Sequence, residues 1–132
     1  MTYTKGVVSA ITLHSVATAT ATSAVCEVLG AESVGIYLTA ASIASRSGLL
    51  TITVSPDGTN FYAYNMLITN SVNSISEGLT RVANITRAAS GTDILWLSPE
   101  TLGGITHIKA TITITDGGGA AGTFTVKAIV KT

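Results

Sequence analysis

A chain of 132 residues with zero formal net charge and only 11% charged residues has no cationic field to gather phosphates, so nucleic acid is not an expected partner. Ordinary soluble domains carry about 25% charged residues. Here threonine, serine, alanine and glycine stand in their place, giving a surface that is easily desolvated and suited to lasting contact with neighbours.

The length suits one domain over 1–132, which at this size buries about two thirds of its unfolded surface without a disulfide or a metal. Cys26 is the sole cysteine, which rules out an intrachain disulfide and a cysteine-based zinc site; within AVCEVL it reads as a small buried hydrophobe. The opening MTYTKGVVSAITLHS lacks a basic stretch followed by an apolar core and a small-residue cleavage site. No run reaches the roughly 18 apolar residues of a membrane span. The expectation is a chain made in the cytoplasm that engages no membrane.

In chain order, GVVSAITLHSV, AVCEVL and VGIYLTA read as three strands. ATATATSA keeps the alternation between the first two, so 1–24 is expected to be an extended N-terminal arm or an edge strand. LLTITVS points Leu50, Ile52 and Val54 inward and Thr51 and Thr53 outward. At Ser55-Pro56-Asp57-Gly58 it meets a turn signal: Pro56 presets φ, Asp57 suits the next position, and Gly58 closes a three-residue hairpin into NFYAYNMLI. A short helical turn is the reading for 72–78, and LTRVANIT and DILWLS supply further strands. Finally ITHIKATITIT and TFTVKAIVK alternate cleanly on either side of DGGGAAG, which predicts an antiparallel pair joined by a mobile glycine tip. The sum is an all-β antiparallel sandwich of about eight strands, of jelly-roll type or, as the architectural alternative, a small closed barrel.

No chemistry assembles on these strands. His14 and His107 fall at polar positions and read as surface or interface residues, with no His-x-His pair or metalloprotease helix around them. The carboxylates are scattered, and no serine sits in a Gly-x-Ser-x-Gly elbow. DGGGAAG lacks the Lys-Ser or Lys-Thr of a phosphate loop, and SPDGTN offers one carboxylate where a calcium loop needs several. Asn84-Ile85-Thr86 matches a glycosylation sequon, and without a secretory leader it reads as coincidence. No catalytic, metal-binding or cofactor-binding residue is expected, and the chain reads as a non-enzyme. Tyr62 and Tyr64 alternate onto one face and, with Trp96, form a candidate glycan platform.

The succession of an alternating strand, SPDGTNFY, a variable middle and IKATITITDGGGAAGTFTVKAIV resembles small β-sandwich virion proteins of tailed bacteriophages, over about Leu49 to Val130. The resemblance implies a capsid decoration or cement protein, or a neck or tail protein. Its partners would be the major capsid or neck and tail proteins and other copies of the chain, and its location the virion. Contacts are then expected from Thr2, Tyr3, Thr4 and Lys5, from Pro56, Asp57, Gly58 and Asn60, and from Gly117, Gly118 and Gly119. Two alternatives stay open: a carbohydrate-binding module, since related turns occur in carbohydrate-binding sandwiches, and a fibre subunit that assembles itself by strand exchange.

Overall fold

The computed structural model describes residues 8–70 and 78–132. In chain order the elements are β1 (Val8–Ala17), β2 (Ala21–Thr22), β3 (Cys26–Glu27), β4 (Ser33–Ser55), β5 (Tyr62–Tyr64), β6 (Met66–Asn70), β7 (Gly78–Val82), β8 (Ile85–Arg87), β9 (Gly91–Trp96), α1 (Pro99–Leu102) and β10 (His107–Lys131).

Two strands dominate. β4 and β10 run for 23 and 25 residues and pair antiparallel along their whole length, from Ser33 opposite Lys131 to Ser55 opposite His107. Strands of about 5–6 residues are usual, and a sheet this long must bend to bury a face. The bend lies where the register shifts, between Asp116 and Ala121 and again between Ala121 and Thr123. Gly119 and Gly122 take positive φ there, as do Ser42 and Ser45 on the facing part of β4. ITHIKATITIT and TFTVKAIVK are therefore not the two arms of a hairpin. They are one strand, and each pairs with a different stretch of β4. Alternation tells which residues share a face but not which strand lies alongside, and a glycine run serves a bulge as well as a tip.

The bend divides the sheet into two halves. In the first, 33–41 and 123–131 of the long strands are flanked by β1 on the β10 side and by β9, β6 and β7 on the β4 side. In the second, 46–55 and 107–116 are flanked by β2 and β3 on one side and by β5 and β8 on the other. Every second residue is driven inward by its apolar side chain. Val34, Ile36, Leu38, Phe124, Val126 and Ala128 of the first half and Leu50, Ile52, Ile108, Ala110 and Ile112 of the second are all buried. The halves meet face to face: a Cβ on Gly48 in the second half would lie 2.8 Å from the ring of Phe124 in the first. His14 on β1 closes the seam by donating from Nε2 to the carbonyl of Ala110 at 2.8 Å.

The all-β, antiparallel character is as the alternation predicts. The partition differs, because the ten strands among the described residues belong to one folded-over sheet in place of the two sheets expected of a sandwich. His14 is a buried seam residue and not a surface one, because a carbonyl of the opposite half satisfies its ring. The strand at AVCEVL shrinks to Cys26–Glu27, with Cys26 buried as expected. NFYAYNMLI breaks at Asn65, so that β5 joins β4 in the second half while β6 joins β9 in the first. The helical turn expected over 72–78 falls on 72–77, outside the described residues, and on Gly78, which opens β7. A helical turn does form at α1, where the Ser98 side chain accepts from the Thr101 amide and Pro99 occupies the first turn.

Candidate contact surfaces

The turn after β4 is held by two side chains. The hydroxyl of Ser55, fully buried, accepts from the amides of Asp57 at 3.2 Å and Gly58 at 2.8 Å and donates to Asp57 Oδ1 at 2.9 Å. The Asp57 carboxylate in turn accepts from the amides of Thr59 and Asn60 and from Asn60 Nδ2, each at 2.8 Å. With four donors on it, the carboxylate is consumed by the turn itself. The loop is longer than expected, since β5 resumes only at Tyr62, but Gly58 does close the turn, at a positive φ of 81° that glycine adopts freely. The loop also lies back on the second half: Gly58 packs on the ring of His107, and Lys109 Nζ sits 4.2 Å over the ring of Phe61. Pro56, Asp57 and Asn60 stay exposed on its rim.

Those donors hold the Asp57 carboxyl well below its ordinary range, the Asn60 and Thr59 amides most strongly, and the hydrogen bond from the Arg46 guanidinium lowers that of Asp116. A depressed carboxyl stabilises the fold above its unfolded pKa of about 4, and that contribution disappears as pH falls through the lower folded value. Asp57→Asn is therefore expected to be less stable than the parent at pH 7. The gap should narrow steadily below about pH 4 in urea-unfolding midpoints taken along a pH series. A gap that stays constant down to pH 2 would mean the charge plays no part.

At the bend, Arg46 clamps both ends of the glycine bulge. Its Nε and Nη2 bind Asp116 at 2.6 and 3.2 Å, and its Nη1 donates to the carbonyl of Gly122 at 2.6 Å. Gly117, Gly118 and Gly119 stand exposed beyond that clamp, beside an open groove lined by Ser45, Ser47, Ala88 and Thr115. The expected contact residues thus occupy two separate places, the turn at the far end of the second half and the bulge at the bend. Thr2, Tyr3, Thr4 and Lys5 lie outside the described residues.

The glycan platform is not assembled as expected. Tyr64 is a core residue whose hydroxyl accepts from the Ser98 amide at 2.8 Å. Tyr62 is exposed, but on a strand of the second half, whereas Trp96 belongs to the first. The structure groups Trp96 with residues the sequence reading passed over. Across the outer face of the first half, one row runs Ala10, Ile129, Gly35, Trp96 and Leu67, and the next runs Thr12, Lys127, Tyr37 and Ile94. The six-membered ring of Trp96 lies over Gly35, where a Cβ would come within 2.9 Å of it, so only glycine admits the indole. Ile94 and Trp96 remain 39% and 36% exposed on a face over which, among the described residues, no second sheet lies. The glycine inside the strand VGIYLTA was the available signal, since a glycine there marks a close approach by something large.

No family model matches the chain, and no curated protein matches it. Among solved structures it is similar to the SPBc2 prophage-derived protein YomS, at 14% identity and a TM-score of 0.65, over 100% of this chain and 99% of that one. At that identity the likeness establishes a shared fold, complete from one end to the other.

Proposed function

We propose that this chain is a non-enzymatic structural component of a tailed-phage particle that holds neighbouring subunits together, as a capsid decoration or cement protein or as part of the neck or tail. The observation that supports the proposal is the likeness in fold to a prophage-derived protein over 100% of this chain and 99% of that one. Composition supports it: few charges and many threonines make a surface whose burial against neighbours costs little desolvation. On this reading the chain is made in the host cytoplasm, ends in the virion, and meets copies of itself and a major capsid, neck or tail protein. The exposed bulge at Gly117, Gly118 and Gly119 and the rim of the Pro56 turn are the contact points it offers, with repetition over many sites adding avidity.

Light scattering coupled to size exclusion tests this directly. The expected result is a mass several times 13.4 kDa, or a 13.4 kDa species that joins purified particles and raises their resistance to heat. A monomer that leaves particles unbound and their stability unchanged would falsify the proposal.

A further inference from the structure

The outer face of the first half sets an aromatic surface beside a lysine that forms no ion pair. Lys127 is exposed on β10 directly opposite Tyr37, and among the described residues no acid pairs with it. The outward positions next to it are Ala10, Thr12, Thr39, Thr92, Ile94 and Ile129, none of them acidic; further out the face carries Arg81, opposite Leu67, and the Lys131–Glu32 ion pair at the end of β10. A partner without an anion pressed onto this face must desolvate a cation with nothing to answer it, which is unfavourable. A ligand that brings its own anion turns the same lysine into an attraction.

We propose that this face binds an anionic saccharide, a sugar ring bearing a carboxylate or a phosphate. Trp96 provides the stacking surface: its benzo ring rests on Gly35, and the exposed remainder meets the C–H face of the sugar. Lys127 provides the counter-charge. Gly35 and Lys127 are diagonal neighbours across the β4 and β10 ladder, about 7–8 Å apart, a span that one pyranose ring with its acidic substituent bridges. Tyr37 lies between them, and the hydroxyls of Thr39 and Thr92, 3.2 Å apart, are placed to meet sugar hydroxyls further along the strands. The proposal stands independently of an assembly role.

Trp96 is the only tryptophan in the chain, so its fluorescence reports on this face alone. The full chain is titrated with trigalacturonic acid, glucose 1-phosphate and maltotriose, with sodium acetate and phosphate as controls. Saturable changes with the first two, at least about fivefold tighter than with maltotriose, are expected, that being what one exposed charge pair supplies. Lys127→Gln, an exposed change whose folding is checked by thermal melting, should bring the acidic sugars down to the neutral level, and Tyr37→Ala should weaken all three. Saturation by one acidic sugar and not the other assigns the anion as carboxylate or phosphate. Three outcomes overturn the proposal: no response to any sugar at about 10 mM, well beyond useful affinity; unchanged acidic preference in Lys127→Gln; or acetate and phosphate reproducing the whole response. A fluorescence change that follows protein concentration alone also overturns it, by making a second copy the occupant.

Discussion

Phe124→Ala is expected to destabilise the protein by about 3–5 kcal/mol, a large part of the roughly 5–15 kcal/mol that holds a domain together. Phe124 is fully buried, and its ring fills the space between the halves of the sheet at the one place where Gly48 leaves room. The sign of Gly48→Ala is the sharper diagnostic. A strand glycine changed to alanine ordinarily gains about 0.4–1 kcal/mol through the unfolded chain. Here the new methyl would meet the Phe124 ring at 2.8 Å, and a loss of about 1–3 kcal/mol is expected instead. Shrinking the ring in Phe124→Leu should recover part of that loss, so the double variant should be more stable than the two single effects summed, by about 0.5 kcal/mol or more. Urea unfolding of the parent, the three single variants and the double variant measures all of this. Strict additivity would mean that the halves do not press on each other at this point.

That pair of residues also shows what the sequence could and could not reveal. The faces were legible: Leu50, Ile52 and Val54, and Ile108, Ala110 and Ile112, point inward as their alternation with threonine predicts. Partnership was not, because a period of two is the same whatever strand lies alongside. VGIYLTA and LLTITVS therefore read as two strands when they are the two arms of β4, and the serines between them carry the bend in a conformation rarely expected of serine. The turn at Pro56 was legible in its chemistry, because Asp and Gly have few other reasons to stand in that order, while its length was not. For the outer face, Trp96 was visible as an aromatic on a strand, but its grouping with Tyr37 and Lys127 depends on three strands separated by many residues in sequence.

The glycine run is where the two readings of the chain part most sharply, and a matched pair of variants separates them. A mobile hairpin tip would accept alanine anywhere, and the bend does not. At Gly118 an added Cβ meets nothing within 4 Å and φ is not positive, so Gly118→Ala should be neutral within about 0.5 kcal/mol. At Gly122, only four residues on, φ is +114° and the Cβ would lie 2.6 Å from Ile43 Cδ1 and 2.8 Å from its Cα. The side chain can swing away, but the backbone atom cannot. Strain of about 1–2 kcal/mol from the left-handed region adds to the overlap, and a total loss of about 2–4 kcal/mol is expected for Gly122→Ala. The clamp should fail with it, because Arg46 binds the Gly122 carbonyl, and any shift of that carbonyl loosens the hold on Asp116. Thermal unfolding of the two variants beside the parent decides the matter: equal melting temperatures for all three would restore the hairpin tip, and a large drop in Gly122→Ala alone identifies the bulge as the hinge on which the sheet folds over.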